Sequence, residues 1–166
     1  MKKLVTEKTL NIEGVTSVIN MRRSINRGLA VFAYDDDPET RNVFIDALCD
    51  QIKSESGRIG VLDTSVRFSE KTIYDRLFPK GDRGPMSDYV RKEVIEKLRD
   101  ITLIKNAQDL VINTKKEQQI DMALIRKLTS TDYCKIFIFI GPKSIISLME
   151  ADSDVAALSL SGRIEN

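Results

Sequence analysis

Histidine is absent from all 166 residues. With it go the commonest general base near neutral pH, the Ser-His and Cys-His nucleophile pairs, and the commonest nitrogen ligand for metals, so most hydrolase mechanisms are excluded. Cysteine is scarce. Cys49 and Cys134 are far apart and match neither a CxxC pair nor zinc spacing, which suits reduced thiols in a cytoplasmic protein, with Cys49 expected in the core. No run approaches the ~20 apolar residues needed to span a bilayer, and Met1-Lys2-Lys3 is not followed by the apolar region of a signal peptide. The expected location is the cytoplasm, or the cytoplasmic face of the inner membrane if an anchor lies outside this chain. Charge of one sign is not in excess either: 26 basic residues face 25 acidic ones, so no global field draws the chain to nucleic acid or anionic lipid.

A hydrophobic content of 42% is enough for one core or two small lobes. The runs "KLVT" and "LNIEGVTSVI" predict a hairpin or edge strands, followed by the basic cluster Arg22, Arg23 and Arg27. Leu29 to Tyr34 is rich in Val, Phe and Tyr and predicts a strand. The next helix has a clear start: Asp37 can cap it, Pro38 suits the first helical position, and Glu39 favours the positive end of the dipole. Phe44, Leu48 and Ile52 give it one buried stripe, and Gly57 ends it. "RIGVLD", Arg58 to Asp63, predicts another strand.

Ser69 then caps a short helix carrying Ile73, Tyr74, Leu77 and Phe78. "PKGDRGPMSD" at 79–88 is the strongest break in the chain, a linker or mobile loop dividing a first α/β lobe (1–78) from a second (89–166), unless both pack as one domain. A helix follows from near Ser87 with Val90, Val94 and Leu98 on one face. "DLVIN", Asp109 to Asn113, predicts a strand, and Ile120, Ala123, Leu124 and Leu128 mark a helix. Ile136 to Ile140 is apolar on both faces, as a central strand requires. Gly141-Pro142 stops it, Ser144 caps a helix through Met149, and "VAALSLS" is expected as an edge strand or a lead into a further segment. Repeated alternation of strand and helix predicts an α/β fold with a mixed or mostly parallel sheet flanked by helices. It is a reduced nucleotide-binding-type fold.

Its phosphate chemistry is missing. A phosphate cradle needs glycines and a lysine, yet the turn between the first strong strand and its helix is Asp35-Asp36-Asp37-Pro38-Glu39, whose carboxylates repel ATP. These residues suit magnesium or, more simply, a solvated helix cap. Asp63-Thr64 at a strand end could touch a ligand or be turn chemistry, and Lys143 in "GPKS" could hold an anion or belong to a capped turn. The three arginines lack an aromatic platform and also suit a charged sheet edge.

Two resemblances follow from these residues. The strand, turn and helix, the strand ending at Asp63, and the later "DLVIN" and "IFIFIGPKS" resemble ParA/MinD-type deviant P-loop ATPases over most of the chain. Glu39, Thr40 and Arg41 stand where that family's Gly-Lys-Thr would be, so the resemblance implies a dead ATPase and transfers no catalytic residue. The front strands, helix and strand, with a second α/β half beyond a linker, also resemble a reduced form of the actin-like cytoplasmic domains of type IV pilus and type II secretion assembly proteins, the PilM and GspL kind. That resemblance implies a non-catalytic adaptor whose partners are an assembly ATPase and an inner-membrane protein, with no cofactor, no metal and no nucleic acid, and with a homodimer left open. The expected partner-binding residues are Arg22, Arg23, Arg27, Phe78, Arg83 and Tyr89. The alternatives are a partition or positioning ATPase with a degenerate nucleotide site and a basic-patch nucleic-acid binder.

Overall fold

The structure is a computed structural model that describes residues 8–56, 59–64, 73 and 100–165. Gly57 and Arg58 themselves, and the elements expected from "KLVT", from Ser69 apart from Ile73, from the 79–88 break and from the Val90 stripe, lie outside these residues, as do Phe78, Arg83 and Tyr89.

Among the described residues, six strands form one sheet: β1 (Thr9–Leu10), β2 (Leu29–Tyr34), β3 (Gly60–Asp63), β4 (Ile101–Lys105), β5 (Ile136–Gly141) and β6 (Ser159–Ile164). Their order is β1-β6-β2-β5-β4-β3 and every pairing is parallel. The fold is therefore α/β, and strands from both sides of 79–88 share the sheet. Helices α1 (Ile12–Ser24) and α2 (Pro38–Ser56) cover one face; α3 (Gln108–Val111), α4 (Lys115–Leu128), α5 (Ile146–Glu150) and α6 (Ser153–Leu158) cover the other.

The two central strands show why the layers form. Every residue of β2 and β5 is buried, because a parallel strand with helices on both faces has no wet side. Val31, Ile136 and Ile138 meet Val15 and Ile19 of α1 and Phe44, Leu48 and Ile52 of α2 on one face. On the other, Phe32 stacks on Phe139 with ring centroids 4.7 Å apart, above Met122, Ile125 and Leu128 of α4. Cys49 lies in the first of these cores, where desolvation pushes its thiol pKa up and lowers its thiolate fraction.

Several expectations are corrected. "LNIEGVTSVI" is not a hairpin: after the two-residue β1 it is α1, capped by Asn11, whose side chain accepts from the Gly14 N–H at 2.6 Å. Its β-branched residues cost only tenths of a kcal/mol each in helix propensity, and burying Val15 and Ile19 outweighs that. "DLVIN" is not a strand but mostly α3. The strand is "ITLIK" just before it, after which Asn106 takes a left-handed turn (φ 59°) and Ala107 N–H bonds the Ile140 carbonyl. Of that apolar triplet only Leu110 is buried, and Ile112 is 85% exposed.

In α4 the helix is present but its phase differs. Asp121, Met122, Ile125 and Leu128 face inward while Ile120 is 44% exposed. Ser144 is not a cap: it sits inside a 3-10 turn, Lys143–Ile145, that begins at Pro142 and runs into α5. "VAALSLS" is split between α6 and β6, and β6 is no edge, since it pairs with both β1 and β2. The strand expected from Arg58 spans Gly60–Asp63.

Candidate functional site: the carboxyl edge of the sheet

In open α/β sheets, ligands lie outside the carboxyl ends of the strands where successive connections diverge to opposite faces. That point here falls between β2 and β5. The chain leaving β2 enters α2 on one face, and the chain leaving β5 enters α5 on the other. Asp35 N–H bonds the Gly141 carbonyl at 3.1 Å and holds the two strand ends together. Above them is a small polar cleft of about 270 Å³ lined by Tyr34, Asp35, Asp36, Lys143 and Arg163.

The carboxylates of the acidic turn fill the place of a ligand. Asp35, itself buried, accepts the Asp37 N–H through Oδ1 at 2.8 Å, while its Oδ2 lies 3.7 Å from Arg163 Nε. Asp36 Oδ1 crosses the cleft to accept the Lys143 N–H at 3.2 Å. Asp37 Oδ1 accepts the Glu39 N–H at 3.2 Å and its Oδ2 accepts the Thr40 hydroxyl at 2.8 Å. Arg41 turns back to donate to the Asp35 carbonyl at 2.8 Å. Three backbone donors that a phosphate could use, the Asp37, Glu39 and Lys143 N–H groups, are thus bound to carboxylates of this turn, and the last of them is the first N–H after β5, in the turn where Lys143 could hold an anion or belong to a capped turn.

The hydrogen bonds from Thr40 and then from Glu39 hold the Asp37 carboxyl below its ordinary 3.8. A depressed folded-state pKa stabilises above the unfolded value and is lost as pH falls through the folded one. Asp37→Ala is therefore expected to lower the melting temperature modestly at neutral pH, with the gap to the parent protein closing below about pH 4. Melts by circular dichroism across pH 2 to 7 check this; a gap that widens in acid would contradict the cap.

Asp63 and Thr64 are tied into the fold. Asn106 Nδ2 donates to Asp63 Oδ1 at 2.8 Å, and the buried Thr64 hydroxyl lies against the carbonyls of Lys105 and Asn106 and 3.3 Å from Asp109 Oδ2. They lock the end of β3 to the turn after β4. Among the described residues no group of three His, Cys, Asp or Glu side chains could hold a metal.

Arg22, Arg23 and Arg27 come together, though not beside a strand as expected. The first two lie in the last turn of α1, where cations suit the negative end of the helix dipole, and Arg27 N–H bonds the Arg22 carbonyl at 2.9 Å. Arg23 and Arg27 are exposed and Arg22 is half-buried. One surface escaped the sequence reading: a groove of about 400 Å³ between α2, the start of α1 and the end of β6, with Val43, Phe44, Ala47, Ile12 and Ile164 inside it and Asp37, Glu39 and Glu165 among its polar lining. Its sequence signal is Val43 and Ala47, an i, i+4 pair one position beside the buried stripe.

No known family model and no curated protein matches the chain. Among solved structures, a chain in the structure of Drosophila ORC bound to DNA superposes with a TM-score of 0.56 at 10% identity, covering 92% of this chain and 40% of that one. The fold is shared. At that identity the likeness is one of fold alone, and this chain spans well under half the length of its neighbour. Among the described residues, no helix is long and apolar enough to cross a membrane.

Proposed function

We propose that this chain is a non-catalytic docking domain, built on a nucleotide-type parallel sheet whose ligand position is closed by its own carboxylates. The observation that carries the reading is the capture of the Asp37, Glu39 and Lys143 N–H groups by Asp35, Asp37 and Asp36 respectively. An incoming phosphate would have to displace three internal anionic acceptors and then sit among them. A fold that keeps its surfaces without this chemistry is left with partner binding. The resemblance to pilus and secretion assembly proteins supplies the partner class, an assembly ATPase and an inner-membrane protein. The exposed arginines at the end of α1 supply a docking surface, since Arg is enriched among residues that dominate interface energies.

Calorimetric titration with magnesium and ATP is expected to show no saturable binding in the micromolar range. Saturable binding there would replace this reading with that of a partition-type ATPase. Alanine at Arg23 or Arg27 is expected to weaken association with the assembly partner by ~1–2 kcal/mol, about five- to thirtyfold, with the fold intact. Asp36→Ala should leave that association unchanged. If it abolishes association in folded protein while both arginine variants are silent, the acidic turn is itself the site.

A further inference from the structure

The face covered by α1 and α2 ends in two exposed apolar patches of opposite charge. Both helices run the same way along the sheet. α1 starts just after β1, whose Leu10 pairs with Ile164 at the end of β6, and finishes before Leu29 opens β2; α2 starts where β2 finishes. The groove beside the start of α2 therefore lies at the carboxyl edge, and the arginine cluster lies at the amino edge, about 20 Å away along a helix of 13 residues.

At the amino edge Met21 and Ile25 are 53% and 56% exposed, next to Arg22, Arg23 and Arg27. Asn26, in the left-handed conformation at φ 54°, closes the helix there, with Ile25 N–H on the Arg22 carbonyl at 3.3 Å, so the apolar pair projects from a fixed end. At the carboxyl edge Val43 is 65% exposed in a groove lined also by Asp37, Glu39 and Glu165. The counter-charges nearby are engaged: Glu55 accepts from Asn20 at 2.9 Å and Gln51 at 2.7 Å, and Arg41 is held on the Asp35 carbonyl.

We propose that the acidic groove of one molecule receives the arginine-flanked end of α1 of a second copy. Met21 and Ile25 would cover Val43 and Ala47 while Arg23 and Arg27 meet Glu39 and Glu165. The contact joins two different surfaces, so it is heterologous: each added copy leaves one patch free at either end, and growth continues as an open chain or closes as a ring. Its rim is exposed, so salt weakens it beyond the Debye length of about 8 Å at physiological ionic strength. The inference rests on the docking reading for the role of the arginines and goes beyond it in naming the occupant.

Sedimentation velocity of the purified chain at low salt, over a range of concentrations, is the first measurement. The average mass is expected to rise with concentration and to fall back when salt is added. Ile25→Asn and Val43→Asn, each an uncharged polar change at an exposed position, are each expected to weaken self-association by on the order of tenfold or more. An equimolar mixture of the two is expected to form a dimer and nothing larger, because each variant keeps the patch the other lacks. A chain that stays monomeric at all concentrations, or variants that remain associated alone, or a mixture that stays monomeric, would overturn the proposal. If either variant melts differently from the parent, Arg23→Ala with Arg27→Ala and Glu39→Ala with Glu165→Ala, which remove the charges without exchanging them, repeat the same mixing experiment. A monomeric chain that instead binds a DNA duplex, and loses it on Arg23→Glu, would assign the basic patch to nucleic acid. The docking reading fails separately, through saturable ATP binding, and survives a monomeric chain whose arginine variants still lose the assembly partner.

Discussion

Ile138→Asp is expected to leave the chain unfolded. Ile138 has no exposed surface, lies opposite Val31 of β2 and Leu103 of β4, and belongs to the core cluster that includes the buried residues of α1 and α2. A carboxylate there has no partner and no route to water. Such burial costs several kcal/mol, on the order of the whole stability of a domain this size. Far-UV circular dichroism and a thermal melt test it, with Ile138→Val as the companion variant, expected to cost about 1 kcal/mol and melt cooperatively. A soluble Asp variant with the parent melting curve would mean that β5 is not central.

The second large effect is expected at Gly28, where the reason is shape rather than charge. A Cβ at this position would run into the backbone carbonyl of Thr129 and come within 2.7 Å of the Lys135 carbonyl. Both are main-chain atoms, one at the end of α4 and one just before β5, and Leu29 N–H is already bonded to the same Lys135 carbonyl at 3.3 Å. Neither can rotate aside as a side chain would. Gly28→Val is expected to lower stability by about 3 kcal/mol, the upper part of the usual overpacking range, and Gly28→Ala by less in the same direction. Urea denaturation with a shared m-value measures both. A Gly28→Val protein as stable as its parent would show that the chain entering β2 is not pinned between α4 and β5.

Local chemistry decided much of this protein before any tertiary contact was formed. The β-branched and aromatic run from Leu29, the Asp37-Pro38-Glu39 helix start and the two-sided apolar run from Ile136 each state their element within a few residues, and all three are where they were expected. The missing glycines and lysine of the acidic turn were equally legible, since the absence of a residue type needs no fold to interpret. What depended on the fold was everything set by partners distant in sequence. α1 is a helix because Val15 and Ile19 find α2, and β6 lies inside the sheet because β1 pairs along its outer side. α3 is a helix because the preceding turn at Asn106 brings Ala107 to the Ile140 carbonyl. The same holds for the surfaces: Asp36 reaches Lys143 across 107 positions of chain, and the groove and the arginine cluster acquire their opposed placement only because α1 and α2 run the same way on one face. A sequence specifies side-chain character position by position, whereas a site is a set of positions brought within a few ångströms, and that set is defined by the order of strands in the sheet.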